Sequence, residues 1–264
     1  MRQALVSTLL VVTVSAHAFA QEGSLVVVGG GDTGPEIIAR TLELAGGKKA
    51  IVAVLPQSSA EPDAGDGSVQ MWREAGAQEV TKVSFAVRGR AAAALHRATL
   101  IWMPGGDQNR FMKAIHGTGL ADVIHERYLA GAIVGGTSAG AAIMSDAMIT
   151  GDADLQSITA GKTALAKGLG LWPEVIVDQH FVKRQRNNRL LAAVLDRRTL
   201  VGVGIDEATA VVVHHGAFEV LGKSSVVVID PRGARIDGAS EGQSASGAGL
   251  KLSVLRSGET YSLK

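Results

Sequence analysis

The chain has 264 residues, 46% of them hydrophobic but only 4% aromatic, so a large α/β core must be built from Val, Leu, Ile and Ala. Basic and acidic residues number 26 and 25, a balance that gives nucleic acid or an anionic membrane no global electrostatic reason to bind. Cysteine is absent, which excludes disulfides, thiolate zinc sites and a cysteine nucleophile.

Residues 1–20 read as a signal peptide. Arg2 supplies the positive start, Leu5 to Val14 an apolar core too short to span a bilayer comfortably, and Ala18-Phe19-Ala20 an A-x-A cleavage site. An uncleaved anchor is the alternative. Cleavage leaves one α/β domain over residues 21–264 with no membrane contact, and export without cysteine points to the periplasm or the medium.

Ser24 to Val28 reads as a buried strand, followed by Gly29-Gly30-Gly31-Asp32-Thr33-Gly34 and a helix from Pro35 to Ala45. The glycines match G-x-G-x-x-G, but the next strand, Ala50 to Leu55, ends in Pro56-Gln57 and not in the acid that would bind a ribose. A nicotinamide site is therefore disfavoured, and the loop reads as backbone lying close to a site. A polar loop from Ser58 to Ser68 precedes a helix, Val69 to Ala75. Val80 to Phe85 reads as a strand, Arg88 to His96 as a helix, and Thr99 to Met103 as another buried strand. That strand runs into Pro104-Gly105-Gly106-Asp107-Gln108 and a helix, Asn109 to His116. Gly105-Gly106 is either a plain turn or a source of a backbone N–H for an oxyanion.

Ala132-Ile133-Val134 reads as a strand, Gly136-Thr137-Ser138-Ala139-Gly140 as a sharp turn, and Ala139 to Met144 as the start of a helix. Strand, G-x-S-x-G and helix together are the pattern of a nucleophile elbow, in which a serine hydroxyl is exposed beside free helix N–H groups. Thr150 to Lys167 is polar and reads as an irregular rim or lid. Its acidic residues have no histidine at ligand spacing, so no metal site is expected. A strand, Val175 to Val177, leads to Asp178-Gln179-His180, which puts His180 at a strand's carboxyl end, where it suits a general base for Ser138. Arg184, Arg186 and Arg189 follow as a helix begins. They are either a solvated face or forks for carboxylates. The strand Val201 to Ile205 ends in Asp206-Glu207, either of which can orient an imidazole. Ala210 to Lys264 reads as antiparallel β, with adjacent His214 and His215 on opposite faces and a mobile loop from Gly238 to Gly249.

Gly106, Ser138, His180 and Glu207 thus stand at successive strand ends, which share one edge in a parallel sheet. The order Ser, His, acid differs from that of α/β-hydrolases, chymotrypsin-like and subtilisin-like enzymes. The Gly136–Ala141 elbow, Gly105-Gly106-Asp107-Gln108, Asp178-Gln179-His180-Phe181 and Gly204-Ile205-Asp206-Glu207 resemble the motifs of cyanophycinases. These are serine peptidases related to aspartyl dipeptidase. The resemblance spans Leu25 to Val228, in the family's order, and the pattern at Arg184, Arg186 and Arg189 looks like cyanophycinase and not like aspartyl dipeptidase. Gln185 and Asn187-Asn188 depart from the small or apolar residues of the family.

The resemblance implies a mostly parallel α/β sheet flanked by helices, akin to class I glutamine amidotransferases and flavodoxin, with an antiparallel extension at the C-terminus. It implies a catalytic Ser138, His180 and Glu207, an oxyanion hole from Gly106 and Ala139, and substrate contacts from Gln108, Asp178, Gln179, Arg184, Arg186 and Arg189. Asp178 is a candidate partner for a substrate guanidinium. The implied substrate is the polypeptide cyanophycin, with no cofactor, and the implied assembly is a homodimer. An aspartyl dipeptidase of the same fold and a non-catalytic periplasmic binding protein are the rival readings.

Overall fold

The computed structural model describes residues 23–264, so the expected leader lies outside the described residues. Its first strand, β1 (Leu25–Val28), is four apolar residues buried on both faces. Burying each such side chain contributes roughly 1.5–3 kcal/mol. Pro35 then opens α1 (Pro35–Leu44), whose Ile37, Thr41 and Leu42 face inward. Strand and helix alternate through β2 (Ile51–Val54), α2 (Asp66–Glu74), β3 (Glu79–Lys82), α3 (Arg88–Arg97) and β4 (Leu100–Met103). Asp107 caps α4 (Gln108–Ile115) by accepting the N–H groups of Asn109 and Arg110.

α5 (Leu120–Leu129) has no counterpart among the expected elements. It buries only Leu120, Ile124 and Tyr128, a stripe too narrow to announce a helix. β5 (Ile133–Thr137) and the short α6 (Ala139–Ala142) enclose Ser138. The region expected to be irregular is a hairpin of β6 (Ala147–Ala153) and β7 (Thr163–Lys167), with a register shift between Ile149 and Ala153. β8 (Val175–Gln179), α7 (Asn187–Arg197), β9 (Val201–Ile205), β10 (Thr209–His214), β11 (Ala217–Gly222) and β12 (Val226–Asp230) follow. The expected loop at 238–249 contributes the second strand of a small pair, β13 (Arg235–Asp237) and β14 (Ser246–Ala248). β15 (Lys251–Leu255) and β16 (Thr260–Ser262) end the chain. No helix among the described residues is long and apolar enough to cross a membrane.

The strand order of the large sheet is β16-β11-β10-β1-β5-β4-β2-β3. Its five strands from β1 to β3 run parallel, and β10, β11 and β16 extend it antiparallel. Helices cover both faces, with Trp72 of α2 against Trp102 of β4 edge to face at 5.1 Å. The strand ends do not share one sheet, as the sequence suggests. β8 and β9 are parallel neighbours in a second sheet, of order β15-β12-β9-β8. The cause lies in β10, which occupies the free edge of β1 with Val28 opposite Ala210 and leaves β9 to pair with β12.

The two sheets meet at the end of β1. Gly29 donates its N–H to Thr209 O at 2.9 Å and accepts the His180 N–H at 2.6 Å, while Gly30 O accepts the Ala208 N–H at 2.9 Å. The carboxyl ends of β1, β4 and β5 therefore face those of β8 and β9. Far from this joint, His214 and His215 lie with ring centroids 3.7 Å apart and not on opposite faces. His215 has left the strand for the hairpin turn with φ +51°.

Candidate active site

Ser138 sits between β5 and α6 with φ +54° and ψ −114°. A non-glycine residue held at positive φ costs about 1–3 kcal/mol, so the fold must hold it there. The Ser138 N–H does so by donating to Val28 O at 3.0 Å. Close packing of the turn adds to this, since a Cβ on Gly136 would lie 2.7 Å from the Gly140 backbone. Ala139 opens α6, so its N–H has no acceptor within the helix. Across the site, Gly105 packs near Ser138 Cβ, and Gly106 has φ +137°. Gly106 lies against Ser58, whose carbonyl accepts the Asp107 N–H at 2.8 Å.

His180 is the first residue beyond β8 and also has positive φ, +49°. Its Nε2 is 2.9 Å from Ser138 Oγ, and its Nδ1 is 2.6 Å from Glu207 Oε1. A carboxylate at Nδ1 fixes the proton there and leaves Nε2 to accept the serine hydroxyl. Burial pushes the imidazole pKa down, the hydrogen bond with Glu207 raises it, and Arg184 pushes it down again. The outcome lies below the ordinary 6.5, which keeps the ring neutral near pH 7. Asp206, the rival acid, points away. It accepts the Lys183 N–H at 2.9 Å and the Ser224 hydroxyl at 2.7 Å. Burial works to raise its pKa, but these hydrogen bonds prevail and hold it below the usual carboxylate value.

The expected substrate-binding residues divide into two groups. Asp178 is 0% exposed and Arg189 3%, and they form a bidentate pair through Arg189 Nε and a terminal nitrogen. The guanidinium that Asp178 receives is thus the chain's own. Arg189 returns to it from the first turn of α7. Gln179 is also buried and accepts Arg186 through its side-chain oxygen at 2.8 Å and its carbonyl at 2.6 Å. Gln108 donates to Ile149 O at 2.8 Å and Asn109 to Thr150 O at 3.0 Å, which fastens the β6–β7 hairpin beside the Gly106 loop. Burial and the neighbouring Arg189 press the Arg186 pKa down to about 10. Arg184 alone among the three arginines is exposed.

A serine aligned on a neutral imidazole can attack a carbonyl carbon and pass its proton to nitrogen. Residues 25–221 match the model of peptidase family S51. The chain belongs to peptidase family S51. Membership makes it a serine-type hydrolase of peptide bonds. This S51 peptidase is 36% identical over 259 residues to the cyanophycinase of Geminocystis herdmanii, covering 91% of this chain and 94% of that protein. It is 34% identical over 257 residues to the cyanophycinase of Thermosynechococcus vestitus, covering 92% and 80%. Its fold resembles a peptidase from an acI-B1 actinobacterium with a TM-score of 0.69 at 23% identity, covering 92% of this chain and 98% of the other.

Sequence reasoning located the glycine loop after β1 beside the site but not what it touches. Gly30 lies directly against the His180 ring and Gly31 against Glu207. The signal was the glycine run itself, which the missing acid after the next strand had already turned from a dinucleotide loop toward backbone lying close to a site.

Proposed function

We propose that this S51 peptidase hydrolyses cyanophycin, a polyaspartate chain with arginine on each β-carboxyl, and releases β-aspartyl-arginine. The observation that carries the reading is the continuous hydrogen-bonded line from Ser138 through His180 to Glu207. Ser138 Oγ attacks a main-chain aspartyl carbonyl carbon as its proton moves to His180 Nε2. The N–H groups of Gly106 and Ala139 receive the oxyanion, and Glu207 holds the imidazolium that forms. His180 then gives the proton to the leaving amine, and water activated by the same imidazole hydrolyses the acyl-enzyme. Arg184, exposed beside His180, is the fork open to a carboxylate of the arginine branch. Asp178, Gln179, Arg186 and Arg189 hold the wall behind it. The cyanophycinase relatives support the choice of polymer.

The leader makes this an exported enzyme that begins at Gln21 after cleavage. The test is release of β-aspartyl-arginine from insoluble cyanophycin by enzyme recovered outside the cytoplasm, with its N-terminus sequenced. Ser138→Ala and His180→Ala should each lose on the order of 10⁴-fold in kcat while staying folded. Normal turnover by either variant would sink the triad. Activity confined to aspartyl dipeptides would move the substrate to the dipeptidase reading.

A further inference from the structure

Two sheets contribute to the candidate triad, so something must set the distance between them. Ser138 follows β5 of the large sheet, and His180 and Glu207 follow β8 and β9 of the second. The chain between the two halves is Gly29-Gly30-Gly31. Gly29 O takes the His180 N–H, and Gly30 O takes the Ala208 N–H just beyond Glu207, so both backbones are pinned to this loop. Side-chain contact is closer still. A Cβ on Gly30 would lie 2.5 Å from Nε2 and 2.8 Å from Nδ1 of His180, and against Cε1 as well. No carbon fits there with the ring where it is, so the imidazole rests on bare glycine backbone. A Cβ on Gly31 would lie 3.0 Å from Glu207 Cβ and 3.3 Å from Oε2.

We infer that Gly30 and Gly31 are positioning residues for the triad. Their uncovered backbone is the seat that lets the imidazole reach Ser138 Oγ and the carboxylate reach the imidazole. The inference rests on the serine-peptidase reading of the site given above. Its physical content is a distance. Any side chain at position 30 lifts the ring off the glycine floor and disturbs the 2.9 Å contact with Ser138. A misplacement of about 1 Å in a reacting group costs on the order of 10²-fold in rate.

The difficulty in testing a glycine at φ +111° is that alanine strains the backbone there whatever it touches. Gly46 supplies the control, because it has φ +104° and nothing within 4 Å of its would-be Cβ. Gly30→Ala and Gly46→Ala therefore share a φ that disfavours a side chain, and only the first meets the imidazole. The measurements are kcat and KM on cyanophycin, and the rate of Ser138 labelling by a fluorophosphonate.

Gly30→Ala is expected to lose on the order of a hundredfold in kcat and in labelling rate, with KM little changed. Gly46→Ala should keep the kcat and the labelling rate of the parent enzyme. Gly31→Ala, at the milder φ of +67°, should fold and show a smaller loss in kcat, and it carries the test if Gly30→Ala does not fold. Equal losses in Gly30→Ala and Gly46→Ala would overturn the inference, and so would an unmoved kcat in Gly30→Ala or Gly31→Ala. An active Ser138→Ala would overturn the serine reading itself, and the inference with it. With Ser138→Ala inactive, failure belongs to the glycine seat alone.

Discussion

His180 is subject to opposing influences, and under the proposed mechanism its pKa decides at which pH the site works. Burial and Arg184 favour the neutral ring, and Glu207 favours the charged one. The net pKa lies below 6.5, so protonation removes the acceptor for the Ser138 proton only at a pH lower than for a free imidazole. The acidic limb of kcat/KM should accordingly fall below pH 6.5. Arg184→Gln removes one depressing charge, so its limb should move up in pH, whatever happens to KM. An unmoved or lowered limb in that variant would show that Arg184 does not act on the imidazole. Glu207 and Asp206 show how a single position separates roles. Glu207 turns into the site, while Asp206 caps the Lys183 N–H and holds Ser224.

At the scale of elements, β8 and α7 are joined by the buried carboxylate of Asp178, which pairs with Arg189 and lies 3.7 Å from Arg186. Asp178 lies two residues before His180 at the end of β8, and Arg189 comes from the start of α7. Removing one partner of a buried pair leaves the other charge uncompensated, at a cost of about 3–5 kcal/mol. Asp178→Ala should lose stability of that order in urea unfolding, and it should lose activity because His180 lies only two residues further along the chain. A loss under about 1 kcal/mol would mean that the pair adds little beyond what solvent supplies.

The same pair marks where sequence reading stops. Arg184, Arg186 and Arg189 look alike in a charge run, and only the fold brings Arg189 under Asp178. The strand ends were legible because apolar runs such as Leu25–Val28 and Val201–Ile205 stop at glycine or acid. Their division between two sheets was not, since a strand's own pattern does not name its partner. The β6–β7 hairpin escaped notice for a related reason. Its shift between Ile149 and Ala153 breaks the alternation that announces a strand.

For the whole molecule, the stability question is what holds the two sheets in register far from the candidate active site. Asp230, the last residue of β12 in the second sheet, accepts the hydroxyl of Tyr261 from β16 in the first at 3.1 Å. Its two oxygens also take Arg232 Nε at 2.9 Å and a terminal nitrogen at 2.8 Å, and Arg232 reaches on to Leu263 O. Hydrogen bonding from Arg232 holds the Asp230 carboxyl down to about 2, from an ordinary value of 3.8. A carboxylate whose folded pKa is depressed stabilises the fold fully above its unfolded pKa, and the contribution disappears as pH falls through the folded one. The clamp should therefore be intact above about pH 4 and be lost progressively toward pH 2. Asp230→Asn should lower Tm by several degrees at neutral pH, and the gap from the parent should narrow as pH falls through that window. Because the clamp lies away from Ser138, kcat at neutral pH should be unchanged in the same variant. A Tm gap that stayed constant from pH 7 down to pH 2 would show that the ionised carboxylate does not join the sheets.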